Sequence, residues 1–346
     1  MQFGVFSNGQ RRNQIAADSY DEDLEELILA DELGFREAWI SEHGVFVSRP
    51  EPDHLPSADI LIAKAAALTK QIKFGPGIRP LPFFHPLQVA TDAAVCDHIT
   101  RGRYMAGFGL GLGGGGEPRG KMPGAPREMA AESIDFILRA WSEPEPFDFE
   151  GRFWQVKNAR IVPMPYTKPR MEVGIACSRT DSTMELAARK GFLPLLTWTT
   201  PAPPLAAMIE TYLGAKGEDL GAGEERAPSR RSVRVGRFVY IADSVAQAKR
   251  ELANADIDAI NRGRLDGYIP AGGTRGDIDL DYLIDSGAFV CGDVDRVAEI
   301  LAEFHHDVGG FGALLLVCGK DWGVKEGRDR TWRQFMAEVA PKLAAL

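Results

Sequence analysis

The chain holds few groupings that could do chemistry, and each lies just past an apolar run that reads as a buried strand. Glu42 and His43 set an acid beside an imidazole, the side chain whose ordinary pKa lies nearest neutrality. The pair reads either as an acid/base couple for proton transfer or as a structural histidine next to an acid. Strand alternation sends the two side chains to opposite sides, so they need not touch. Ser178, Arg179, Thr180, Asp181, Ser182 and Thr183 precede a helical pattern. Hydroxyls and free N–H groups at a helix start hold an anion, aided by the helix dipole, and Arg179 would add a forked charge. Ordinary capping is the other reading of these residues. Trp198 reads as a stacking wall or as core. The adjacent His305 and His306 face different ways on a late helix, which argues against a metal pair. The glycines of 108–116 lack a clean G-x-G-x-x-G and a partner acid, so they are a weak dinucleotide fingerprint.

One further stretch, FGPGIRPLPFFHP at residues 74–86, interrupts an apolar strand with Gly75, Pro76 and Gly77. Proline removes a ladder donor and glycine weakens a strand. At the C-terminal end of a strand these residues shape a bulge, and we read that bulge as lying under a flat ligand.

The elements that must position these groups alternate regularly. Strands are expected at 2–6, 37–41, 72–74 and 102–109, with helices at 20–33, 57–70 and 86–99; Gly34 is a helix stop and Ser57 an N-cap. Further strands are expected at 171–177, 192–198, 233–242 and 312–318, each followed by helical sequence, and a surface hairpin at 149–163. Such alternation demands a parallel sheet with helical crossovers. Eight strands without a mid-chain linker favour a single (β/α)8 TIM barrel over 1–346 against an open doubly wound sheet. Insertions are expected at about 111–125, 149–163 and 262–288. In a barrel, chemistry sits at the C-terminal strand ends. Phe6, Glu42, His43, the 75–78 bulge, Gly107 and Gly109, the 178–183 loop and Trp198 all fall there.

Composition narrows the class. With 346 residues, 45% hydrophobic, one large core is possible. The formal charge of -9, without a basic run, argues against nucleic acid and against an anionic membrane surface. No apolar stretch approaches the length of a membrane span, and the start of the chain lacks a signal-peptide pattern, so a cytoplasmic protein is expected. The four cysteines form no C-x-x-C and read as buried reduced thiols.

Taken in order, MQFGVF, EAWISEHG, GPGIRPLPFFHPLQVA with DHITRGRYMAGFGLG, and GIACSRTDSTMELAARKGFLPLLTW resemble the bacterial luciferase-like flavin monooxygenases over nearly the whole chain. The segment GDVDRVAEILAEFHHDVGGFGALLLVCGKDW is similar to the limonene-monooxygenase-like branch. The resemblance implies a barrel that binds reduced FMN from a separate reductase. With O2 it would form a C4a-peroxyflavin that oxygenates a small apolar substrate. It implies a non-prolyl cis peptide at Gly77–Ile78 beneath the ring. It places the phosphate on Ser178, Arg179, Thr180, Ser182 and Thr183, with Trp198 lining the ring and Phe6 in the pocket. His43 matches the catalytic histidine, with its pKa tuned by Glu42. A homodimer is implied. Three departures stand out. The second histidine of the box is Gly44, the arginine after strand four is Leu110, and the Gly-rich loop 111–124 reads as a lid. An F420-dependent oxidoreductase on the same barrel and a non-catalytic flavin-binding homologue are the alternatives. The aromatics Phe6, Phe83, Phe84 and Trp198 suggest an apolar pocket.

Overall fold

The computed structural model describes residues 1–7, 15–42, 57–110, 125–177, 180–215, 227–255, 257, 265–318, 322–344 and 346. The first half runs β1 (Gln2–Ser7), α1 (Ala16–Leu33), β2 (Glu37–Ile40), α2 (Ala58–Leu68), β3 (Lys73–Pro76), β4 (Arg79–Pro80), α3 (Pro86–Ile99), β5 (Ala106–Gly109) and α4 (Pro126–Ser142). A two-stranded hairpin follows, β6 (Phe147–Glu150) and β7 (Gln155–Ala159). The second half runs β8 (Val173–Cys177), α5 (Asp181–Arg189), β9 (Leu193–Leu196), α6 (Ala202–Gly214), β10 (Arg234–Ile241), α7 (Val245–Glu251), α8 (Leu280–Asp285), β11 (Phe289–Gly292), α9 (Val294–Asp307), β12 (Ala313–Cys318) and α10 (Lys325–Gln334).

Local chemistry sets several of these boundaries. Gly34 ends α1 in the left-handed region at φ 85°. Pro86 opens α3, where its missing N–H costs nothing, and the His85 ring accepts from the Leu87 amide. Asp293 caps α9 by accepting from the Arg296 amide.

The main sheet is parallel, in the order β3-β2-β1-β12-β10-β9-β8-β5-β4. It closes on itself through the bridge between Phe74 and Tyr104. Past that bridge the chain bulges. Five steps from Phe74 to Arg79 face only four from Tyr104 to Phe108, the two places where this edge pairs. β3 and β4 therefore share one place in the ring, giving the eight expected places. The bulge expected after residue 74 is present, although β3 itself runs on to Pro76.

The described part of the 262–288 insertion is more ordered than expected. It holds short 3₁₀ turns and α8, and β11 follows as an extra parallel strand on the far half of β10, from Phe238–Phe289 to Ile241–Gly292. Four apolar residues between glycines are too short to show a period, which is why the sequence did not reveal this strand.

Trp39 fills the barrel interior and is fully buried. Neighbouring strands give it room by carrying glycine. A Cβ on Gly75 would lie 2.7 Å from the indole, and one on Gly174 would lie 2.5 Å from it. Leu193, Leu195, Leu315 and Met105 complete this inner cluster. At the N-terminal end of the barrel the indole N–H donates to Glu37 Oε1 at 3.1 Å. Glu37 in turn takes a two-pronged contact from Arg234, each prong 3.2 Å. Both charges are buried and paired, as burial requires.

Gly174→Ala should overpack this layer and cost about 1–3 kcal/mol in chemical denaturation. Trp39→Phe in the same chain should recover part of that loss. Strict additivity of the two changes would show that the indole and Gly174 do not share one space.

Candidate active site

The C-terminal mouth of the barrel is floored by small residues. β8 is buried along its length except at Ala176, which is exposed although it lies in the middle of a parallel sheet. Its neighbours explain the opening. Gly109 sits beside it, and a Cβ there would fall 3.5 Å from the Ala176 methyl and 2.7 Å from the Ile78 side chain. A Cβ on Gly77 would approach the Phe6 ring at 2.9 Å. Phe6, Gly77, Ile78, Gly109 and Ala176 thus form one continuous surface. The Gly77–Ile78 peptide is cis and non-prolyl, as the resemblance implies. The Gly77 amide donates to Ile40 O at 2.7 Å, which fastens the bulge to the end of β2.

An aromatic wall rises on one side. Trp198 is buried, with Phe289 at 5.8 Å and Trp322 at 6.4 Å between ring centroids. Phe238 stacks on Phe289 at 4.2 Å. Phe6 packs against both the inner cluster and this wall, joining the two. Trp198 is therefore packed among these aromatics, as the core reading of it has it. Phe238, Phe289 and Trp322 were not singled out from the sequence. Phe238 and Phe289 sit in apolar runs that look like ordinary core, and Trp322 stands alone between Asp321 and Gly323.

At the start of α5, Thr180 occupies the N-cap position, and its hydroxyl lies 2.9 Å from that of Thr183. Ser182 is exposed in the same turn. Asp181 is the odd member of this set, and its carboxylate accepts from Thr211 on α6 at 3.4 Å. Leu110 is half-buried and packs against the outer core, beyond the glycines of β5. His43, Gly44, Ser178, Arg179 and the 111–124 loop lie outside the described residues.

Behind the floor is a buried charge cluster. Glu42 turns outward from the barrel, and Arg79 Nε lies 3.0 Å from its Oε1. Arg79 Nη2 donates to Asp59 at 2.8 Å, and the Tyr104 hydroxyl donates to the other Asp59 oxygen at 2.8 Å. The Ala58 amide donates to Glu42 Oε2 at 3.2 Å. Glu42 therefore serves the first turn of α2, whereas the expected cap Ser57 makes no side-chain cap bond. Phe84 stacks against Arg79 at 4.7 Å, which puts it against this cluster. Burial pushes the Glu42 carboxyl up to about 7, against the pull of Arg79 and with a smaller push from Asp59. Arg79 and Asp59 were missed from the sequence. The available signal was an ionisable residue two positions past Gly77, amid prolines.

A carboxyl whose folded pKa is raised holds an extra proton in the native state. Its contribution to stability is complete below the unfolded value of 4.5 and is lost as pH rises through about 7. The melting temperature of the parent should therefore fall relative to Glu42→Gln between about pH 5 and pH 8, on the order of a few degrees. A constant difference across that range would mean that Glu42 ionises like an exposed acid.

Residues 1–309 match the model of the luciferase-like monooxygenase family. The chain is 30% identical over 327 residues to 4-hydroxyprotoasukamycin monooxygenase of Streptomyces nodosus subsp. asukaensis, spanning 92% of this chain and 86% of that protein. It is 26% identical over 346 residues to limonene 1,2-monooxygenase of Rhodococcus erythropolis, spanning 98% and 86%. Among solved structures, the oxygenating constituent of 3,6-diketocamphane monooxygenase from Pseudomonas putida, a type II Baeyer–Villiger monooxygenase in complex with FMN, superposes with a TM-score of 0.83 at 26% identity. That match covers 99% of this chain and 98% of the other. A closed parallel barrel, a glycine-floored mouth and likeness along nearly the full length agree, and the chain belongs to the luciferase-like monooxygenase family.

Proposed function

We propose that this protein is the oxygenase component of a two-component flavin-dependent monooxygenase, acting on a small apolar organic substrate. The observation that carries this reading is the exposed Ala176 over a floor of Gly77, Ile78 and Gly109, a flat and shallow seat for a planar ring. The residues present fit FMN. Thr180, Ser182 and Thr183 bring hydroxyls to the start of α5, where a phosphate is favoured by the helix dipole. Ser178 and Arg179 precede them in the chain and would add a hydroxyl and a cation. Phe6 and Trp198 border the ring seat. Reduced FMN, when bound, supplies the electrons and the position at which O2 is activated.

The chain itself orients, dries and handles protons. The buried aromatic cluster of Trp198, Phe238, Phe289 and Trp322 keeps that side of the mouth dry and fixed in place. His43 is assigned the movement of a proton, with Glu42 before it in the chain. A separate reductase as the source of FMNH2 fits a relative named as an oxygenating constituent. Ile60 and Leu68 on α2 and Val95 and Ile99 on α3 are exposed apolar residues, and a second copy of the chain would cover them in a homodimer. The buried cysteines Cys96, Cys177 and Cys291 fit a reducing, cytoplasmic setting.

Titrating the protein with FMN and separately with F420 tests the cofactor. Micromolar binding of FMN alone is expected, and preference for F420 would replace an oxygenase with a hydride-transfer enzyme. Ala176→Leu should abolish FMN binding while leaving the melting temperature nearly unchanged, because the added carbons enter the mouth and not the core. Undiminished FMN binding by that variant would place the ring elsewhere. Changing Ile60 and Ile99 together to Glu should convert the dimer to monomer in size-exclusion chromatography with light scattering. An unchanged mass would move the interface off α2 and α3.

A further inference from the structure

Arg79 stands one residue past the Gly77–Ile78 bond, and alternation divides the two side chains. Ile78 joins the inner cluster at the mouth, whereas Arg79 points outward and is only 6% exposed. Its guanidinium meets Glu42 just past the C-terminal end of β2 and Asp59 in the first turn of α2. It also stacks on Phe84, just ahead of α3. Through Asp59 it reaches the hydroxyl of Tyr104, a partner in the bridge that closes the barrel. One side chain therefore ties the piece of backbone that carries Ile78 to three neighbouring elements and to the closure itself.

This arrangement is a poor way to gain stability. Buried ion pairs are often matched or surpassed by apolar residues of similar volume. Here two carboxylates share one guanidinium, and Arg79 Nε donates to Glu42 Oε2 at 3.1 Å, so that Oε1, although 3.0 Å away, takes no hydrogen bond. What a planar forked cation gives in return is direction, since each contact fixes an angle as well as a distance.

We infer that Arg79 is a positioning residue for the flavin, and that the Glu42–Arg79–Asp59 clamp sets the height and tilt of the Ile78 floor under the ring. The inference rests on the FMN reading above. The clamp touches neither ring nor substrate and acts through β4. Glu42 and Asp59 work as its anchors, so Glu42 belongs to the support of the site in addition to any influence on the residue that follows it.

The test compares the parent with two variants, measuring oxidised-FMN affinity by fluorescence quenching, the visible spectrum of bound FMN, and the melting temperature without ligand. Arg79→Lys keeps the charge and loses the fork. The triple change Arg79→Met, Glu42→Gln and Asp59→Asn removes all three charges together, so no carboxylate is stranded. Both should fold with melting temperatures near that of the parent. Both should bind FMN at least about tenfold more weakly and lose the spectral shift of the bound ring, because small misplacements of a binding surface are costly. A folded triple variant that binds FMN like the parent, with the same spectrum, overturns the inference and leaves the flavin reading intact. Failure of both variants to fold also overturns it, by making the cluster a stability element. Failure of the parent to bind FMN sinks the reading and the inference together.

Discussion

Everything at the mouth of this barrel depends on how one indole occupies its centre. Trp39 is the bulkiest group inside the ring, and it fits because Gly75, Gly107 and Gly174 present bare backbone to it. A Cβ on Gly107 would meet the Pro76 carbonyl oxygen at 1.7 Å, so β3 and β5 approach each other more closely than side chains allow. Dense packing around the indole fills the barrel below the mouth. The opening seen at Ala176 is thus the complement of the filling at Trp39.

The site is assembled from two kinds of material. Its floor is backbone and small side chains on β3, β4, β5 and β8, held from behind by ion pairs. Its wall is aromatic and comes from the segment after β9, from β10 and β11 and from the segment before α10, packed under α8 and the turns ahead of it. Rigid strands carry the first set, which suits a surface that must hold one plane. The second set is rooted in the barrel through Phe238 and Tyr240 on β10 and Val317 on β12, with Phe6 packed against it.

Much of this was legible in the sequence because it is written in residues with strong backbone consequences. Pro86 and His85 mark the start of α3 at the expected residue, and the glycine–proline cluster after Phe74 marks the bulge. Residue-by-residue resemblance placed the cis peptide, which no periodicity reveals. Other features were silent for physical reasons. Alanine in a strand carries no pattern, so Ala176 gave no sign that it faces an opening. The acid at residue 42 was legible as an odd residue at a strand end, but its partners depend on the outward turn of Arg79, a tertiary fact. Phe84 was legible as an aromatic, and its stacking on Arg79 is likewise a tertiary fact.

The division between floor and wall has an evolutionary consequence. The floor residues Phe6, Gly77, Ile78, Gly109 and Ala176 all lie before position 178, and the wall residues Trp198, Phe238, Phe289 and Trp322 all lie after it. On the flavin reading proposed above, drift or exchange in the later part of the gene can alter the wall while the floor is inherited intact. A lineage built on this plan can diversify its chemistry toward new molecules without having to reinvent its redox apparatus.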